Sequence, residues 1–242
     1  MPLIRAVACF LINLCLLLAV VPVWAEQAHK PVLRGAYVEF PPLTYSNPSG
    51  DPSGAVIDRV EALANSAGYR VRWEGLPLGR VHLYLKTGKI DLWPGAMGIP
   101  YLQPWVLEAD VLSGSIRLAA YHHPDQKPVD SIEDLRGKKL ILLRNYTYLG
   151  VLDDVINADS TSINYAPNVR SAIQMLQHGR GEYLISFERP VDYSLANGIF
   201  PELVQSPIFE RDIGLVFSSA NLQAPKLVDQ FQEAARNLPH SP

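Results

Sequence analysis

The chain has 242 residues, 48% of them hydrophobic, with 24 acidic against 21 basic side chains and a formal net charge of −3. That supplies enough apolar material for one large core or two small ones, and a mildly acidic chain without a basic patch argues against a nucleic-acid partner. Both cysteines, Cys9 and Cys15, lie in the first 25 residues, so a chain cut after that stretch has no disulfide, no thiolate nucleophile and no cysteine-held metal.

Residues 1–25 form a separate object. Arg5 is their one charged side chain, Ala6 to Val21 is apolar apart from Asn13, and Pro22 and Val23-Trp24-Ala25 follow. Val23 and Ala25 occupy the −3 and −1 positions of a cut after Ala25, which is the layout of a cleaved secretory signal peptide. The apolar run is short for a spanning helix, and Cys15 follows Leu14 rather than a small residue, which argues against lipidation. Without Arg5 the net charge becomes −4.

From there the chain alternates. Leu33 to Tyr37 predicts a strand, and the prolines of Phe40-Pro41-Pro42-Leu43-Thr44-Tyr45 forbid helix and sheet pairing after it. Ser46 to Gly54 is a loop. Val56, Val60, Leu63 and Ala67 share a face and predict a helix over 55–67, stopped by Gly68. A strand over 69–73, a helix carrying Leu78, Arg80, Val81 and Leu85, and a strand over 90–93 complete a first unit. Leu112 to Tyr121 is an intervening segment, with Ser113-Gly114-Ser115 as the expected hinge. A second unit repeats the order: strand 139–143, helix 148–157, strand 162–165, helix 169–178, strand 183–187. A strand over 213–218 and a helix over 226–238, opened by Pro225, close the chain.

The two units share a signature. Leu85-Lys86-Thr87-Gly88-Lys89-Ile90-Asp91 returns 91 residues later as Leu176-Gln177-His178-Gly179-Arg180-Gly181-Glu182. Each copy reads as a helix that ends at a glycine able to take the left-handed conformation, then drops into a buried strand. Paired copies with matched flanks imply two similar lobes. Strands alternating with helices imply parallel sheets with right-handed crossovers, and such sheets bind ligands beyond the carboxyl ends of their strands.

Phe40-Pro41-Pro42-Leu43-Thr44-Tyr45, Gly54 with Asp58, Pro77 with Arg80, Gly88-Lys89-Ile90-Asp91, Leu135-Arg136-Gly137-Lys138-Lys139 and the second Leu-x-x-Gly resemble, in order and spacing, the bacterial extracellular solute-binding proteins of family 3. The resemblance spans nearly all of residues 31–238. It implies an α/β, two-lobed periplasmic binding protein fold of type II, each lobe a small, mostly parallel sheet flanked by helices. Lobe 1 would comprise residues 26–112 plus 210–242 and lobe 2 residues 113–209, with the hinge near 112–116 and 209–213. It further implies a periplasmic, monomeric protein that closes on a small polar or aromatic-bearing metabolite and delivers it to an inner-membrane ABC permease. Two alternatives stand beside that: a dehydratase-like enzyme on the same fold, and a ligand-sensing module for a membrane partner.

The sequence departs from the family's amino-acid binders. Their Thr-x-x-Arg, whose arginine grips the ligand carboxylate, falls on Pro100 and Gln103, and the acid that holds the ammonium falls on Phe187. Candidate ligand residues are Phe40, Tyr45 and Tyr101 as pocket aromatics, Arg80 through the family match, Thr147 at the opening of a helix, and Glu188 at a strand's carboxyl end. The bland alternatives are loop packing for the aromatics, a solvated surface arginine, a plain helix cap, and pairing of Glu188 with Arg189 or water. Asp91, Glu182 and Asp58 read as structural. No hydrolase, metalloprotease, dinucleotide or phosphate-loop motif is present, so neither cofactor nor metal is expected, and Glu39 and Glu188 are the carboxylates an enzyme reading would need. Neighbours on a strand point to opposite faces, so His122-His123 cannot chelate together, and both read as surface histidines.

Overall fold

The structure, a computed structural model, describes residues 30–144, 146–198, 200 and 202–238; the expected signal peptide and Asn145 lie outside them. Val32–Tyr37 (β1), Arg70–Gly75 (β4) and Leu92–Ala96 (β5) form one parallel set, ordered β4-β1-β5. Lys139–Leu143 (β7), Ser162–Ala166 (β8) and Tyr183–Phe187 (β9) form a second, ordered β8-β7-β9. Two long strands, Val106–His122 (β6) and Val204–Ser218 (β10), run antiparallel between the sets and join them into one eight-stranded sheet, with β10 beside β5 and β6 beside β9. A two-residue hairpin, Tyr45–Ser46 (β2) with Pro52–Ser53 (β3), stands apart.

Helices cover the sheet because each presents one apolar face. Ala55–Ser66 (α1) buries Ile57, Val60, Leu63 and Ala64, and Leu78–Lys86 (α2) buries Val81 and Leu85. Val169–Gln177 (α4) buries Ala172, Ile173 and Leu176 in the second half. Ala224–Asn237 (α6) lays Leu227 and Phe231 among Val60, Leu63 and Leu215, so the chain's last helix packs on its first unit.

The repeated signature is built from the same bonds twice. Gly88 and Gly179 both take positive φ, 67° and 65°. In each copy the next residue's N–H reaches back into the helix, Lys89 to the Tyr84 carbonyl and Arg180 to the Met175 carbonyl, both at 2.9 Å. The acid then faces the first strand of its own set: Asp91 Oδ2 accepts the Arg34 N–H at 2.8 Å and Glu182 Oε2 accepts the Lys139 N–H at 2.7 Å. Each acid's own N–H donates back to the same residue's carbonyl. A side-chain carboxylate thus continues the parallel ladder past its last backbone pair, which fixes the register of β1 with β5 and of β7 with β9.

Several elements differ from the sequence expectation. Leu112 to Tyr121, read only as an intervening segment, belongs to the long strand β6, whose ladder with β10 is interrupted beside Ser113: Ser115 faces Asp212 and Gly114 faces Ile213, but Leu215 faces Ala109, so Asp110 to Ser113 have no β10 partner and Ser113 takes φ 50°. The helix over 148–157 is broken into a 3-10 turn at Tyr148–Gly150, where Leu149 has φ 58°, and a single helical turn, Asp153–Ile156 (α3). Glu188–Ala196 (α5) is a helix that sequence reading missed, with Pro190 in its first turn, where a missing N–H costs nothing. His122 is buried rather than on the surface: its Nδ1 bonds the His123 carbonyl at 2.8 Å and its Nε2 bonds Ser206 Oγ at 3.3 Å.

Candidate functional site

All six parallel strands point their carboxyl ends into one cleft of about 720 Å³, within the range of small-molecule sites. The residues after β1 bring Glu39 and Phe40, those after β4 bring Leu76 and Pro77, and β5 itself supplies Trp93 to Ala96. From the other set come Leu143 and Arg144 after β7, Pro167 to Arg170 after β8, and Phe187 with Pro190 and Tyr193 at the end of β9 and along α5.

Phe40 is positioned by a tight turn. Its N–H donates to the Thr44 carbonyl at 2.7 Å, and Thr44 Oγ1 donates to the Val38 carbonyl at 2.8 Å. Its ring meets Phe187 at 5.4 Å, from the opposite set of strands. Phe187 continues a stack with Tyr148, centroids 6.4 Å apart and planes at 14°. Trp93 lies flat over Gly95, where any Cβ would run into its indole. Burial, then the Glu39 carboxylate, pushes the Tyr146 phenol up to about 12, so it is a neutral donor at neutral pH.

The other sequence candidates are spread around this cleft. Tyr45 is outside its lining but leans on Tyr193, centroids 6.4 Å apart. Tyr101 occupies a smaller neighbouring hollow with Thr147, Tyr148, Asp153 and Tyr165. Its hydroxyl shares a hydrogen bond with His82 Nδ1 at 3.1 Å, and its phenol is raised by burial and held down in part by a hydrogen bond with Thr147. Thr147 lines both cavities, and its Oγ1 accepts the Leu149 N–H at 3.4 Å, so it caps a three-residue turn rather than a long helix. Arg80 is exposed on α2, outside the lining, although Pro77 and Leu78 belong to it. Glu188 is buried and outside the lining; it pairs not with Arg189 but with Arg117 of β6, at 2.8 Å.

The structure also places residues that sequence reading did not single out. Arg144, Tyr146, Arg170 and Tyr193 line the cleft. Gln103 and Phe187, where the sequence resemblance would put an amino acid's two charge partners, are placed otherwise. Gln103 donates to Glu108 at 2.9 Å outside the lining, and Phe187 is an aromatic wall. Of the two carboxylates an enzyme would draw on, only Glu39 lines the cleft, where it accepts hydrogen bonds from the Ser46 N–H and hydroxyl. Among the described residues no group of three or more His, Cys, Asp or Glu could hold a metal, and no helix is long and apolar enough to cross a membrane.

Two matched parallel sets, two long strands passing between them and one cleft at the strand ends define a two-lobed α/β fold of the periplasmic binding protein kind. No protein-family model matches the sequence, and no curated protein does. Solved structures resemble it closely in shape. A histidine kinase sensor domain with similarity to periplasmic binding proteins aligns with TM-score 0.73 and 20% identity over 88% of this chain and 92% of its own. An ancestral arginine-binding protein bound to arginine aligns with TM-score 0.71 and 20% identity over 86% and 93%. The substrate-binding protein of an amino acid ABC transporter aligns with TM-score 0.67 and 16% identity over 86% and 93%. At such identities the likeness shows the fold.

Proposed function

We propose that this chain is an exported, monomeric solute-binding protein that works without catalysis, closing two lobes around a small metabolite and presenting the closed form to an inner-membrane partner. The observation that carries the reading is the cleft itself: strand ends from both sets line it, so a ligand that touches both walls favours the closed arrangement. The lobes are taken as residues 26–112 with 210–242 and residues 113–209, bending where β6 and β10 change partners. Phe40 and Thr147 serve as ligand contacts from opposite walls, and Tyr45 and Tyr101 support them. The solute is not a plain α-amino acid. Gln103 cannot form the charge-assisted fork that a carboxylate needs, Phe187 offers an ammonium nothing, and burying either charge unpaired costs several kcal/mol.

The partner is an ABC permease in the first reading. A second reading, that the partner is a sensory membrane protein, is favoured by the likeness to a histidine kinase sensor domain.

The test uses the mature chain beginning at Glu26, whose N-terminus mass spectrometry of the periplasmic fraction should report. A thermal-shift screen against a broad metabolite panel should find a stabilising ligand; a site filled at a hundredfold excess over Kd adds about 2.7 kcal/mol. Small-angle scattering should then show a smaller radius of gyration with that ligand. An empty screen would sink the binding reading, and binding with unchanged scattering would sink closure. Isothermal titration should find no common amino acid with Kd below about 1 μM, near −8 kcal/mol.

A further inference from the structure

The charge in the cleft is divided between its walls. Among the described residues three charged side chains line it: Glu39, Arg144 and Arg170. Glu39 stands on the first wall, with a carboxylate oxygen already bonded to Ser46. Both arginines stand on the second, and the fold brings their backbones together. Arg144 follows β7 and donates its N–H to the carbonyl of Ala166, the last residue of β8, at 2.9 Å; α4, with Arg170 as its second residue, begins three residues later.

Neither arginine is neutralised. Among the described residues ion pairs join Arg34 with Asp91, Arg117 with Glu188 and Arg136 with Glu133, and neither cleft arginine takes part in one. Arg170 donates to the Asn197 carbonyl at 3.2 Å and lies over the Phe200 ring at 5.5 Å, two contacts that hold it without cancelling its charge. No side-chain partner for Arg144 occurs among the described residues. Two arginines lining one cavity give its second wall a positive potential, and closing the cleft would strip water from those charges. An anion set against them offsets that cost, and a carboxylate matches the planar N–H fork. The count also selects a single charge: two arginines and one glutamate leave one positive charge over. The rest of the lining is rich in rings, with Phe40, Trp93, Tyr146 and Phe187 presenting apolar faces that suit an aromatic body.

We propose that the cleft takes an aryl monocarboxylate, its anion held by Arg144 and Arg170 and its ring laid against the aromatic wall. This rests on the ligand-binding reading above. It reverses the polarity of the family's amino-acid site, since the cations now belong to the second half of the chain.

A matched series tests it by isothermal titration of the mature protein: 3-phenylpropionate, its neutral amide 3-phenylpropanamide, and 3-phenylpropylamine. The acid is expected to bind at least tenfold tighter than the amide, the amine not measurably, and the acid's affinity to fall as salt screens the charges. Arg144→Gln and Arg170→Gln should each weaken the acid at least tenfold and leave the amide unchanged, with melting temperatures near the wild type's because both side chains are exposed. Arg144→Lys, which keeps the charge and loses the fork, should fall between. An amide or amine that binds as tightly as the acid, or an Arg144→Gln/Arg170→Gln protein that binds the acid as well as wild type, overturns the assignment and leaves the binding cleft standing. If none of the three binds, the assignment fails, and the metabolite screen decides the binding reading separately.

Discussion

Asp91→Ala tests whether the repeated acid locks the first lobe. The carboxylate is buried and accepts four hydrogen bonds: from the Arg34 N–H at 2.8 Å, from Arg34 Nε at 3.0 Å and Nη2 at 2.7 Å, and from Asn221 Nδ2 at 3.0 Å. It therefore ties β1, the start of β5 and the turn into α6 together. Removing it strands the Arg34 amide in a closed parallel ladder, which costs about 1–3 kcal/mol. The guanidinium is 43% exposed, so its share of the pair is screened and worth about 1 kcal/mol or less. The expected loss is about 2–4 kcal/mol, and a melting temperature lower by about 5–15 °C for a domain of this size. Arg34→Ala should cost only about 1 kcal/mol, because the carboxylate keeps the amide and Asn221. Urea unfolding at pH 7 measures both variants. Burial pushes the Asp91 carboxyl up, but the Arg34 side chain, the Arg34 N–H and Asn221 together outweigh it and leave it below its ordinary value. The stabilisation is thus complete above the unfolded carboxyl's value of about 3.9 and fades as pH falls through the lower folded one; the gap between wild type and Asp91→Ala should narrow below about pH 4. A loss under about 1 kcal/mol, or an Arg34→Ala loss equal to that of Asp91→Ala, would refute the argument.

Other outcomes follow from the residues packed around Trp93. Gly95→Ala drives a methyl into the Trp93 indole, so it should cost about 1–3 kcal/mol through overpacking and alter the near-ultraviolet dichroism, while an unchanged spectrum would mean that the indole does not lie on Gly95. Burial, then the charge of Lys86, pulls His82 down to about 4, whereas an unfolded histidine titrates near 6.5. The folded protein therefore resists protonation. Its stability should be full above about pH 6.5 and decline toward pH 4, by up to about 1.4 kcal/mol per unit, and His82→Gln should flatten that slope in urea midpoints measured from pH 4 to 7.

The fold was legible where the sequence repeats itself. Gly88 with Asp91 and Gly179 with Glu182 carry their structural roles in local spacing, so the helix ends and the strands behind them could be placed before any coordinates. The crossing was harder to read. Ser113-Gly114-Ser115 reads as a hinge from local composition, which says nothing of a partner strand, and the β10 residues that pair with Gly114 and Ser115 lie about a hundred positions away. Pro190 hid α5, since a proline after a strand signals an exit as readily as a first helical turn. At the site, Phe40 was visible only through the family resemblance, since an aromatic residue beside two prolines reads locally as loop packing. Arg144 and Arg170 were not, because each alone resembles a solvated surface arginine. Their convergence depends on the pairing of β7 with β8 and on where α4 begins. Glu188 misled in the opposite direction: its partner, Arg117, comes from a strand that the sequence places far off.

The placement of β10 has a consequence for how the chain acquires its shape. Strand β9 is flanked by β6 and β7, both made before it, so it finds both neighbours waiting as soon as Phe187 is available. Strand β5 is flanked by β1 and β10, and Val204–Ser218 comes more than a hundred residues later. Until then the nascent first half carries an unpaired strand edge at Leu92–Ala96, the kind of surface on which other chains nucleate aggregation. The half that is made first must therefore finish last, held open until β10 is made.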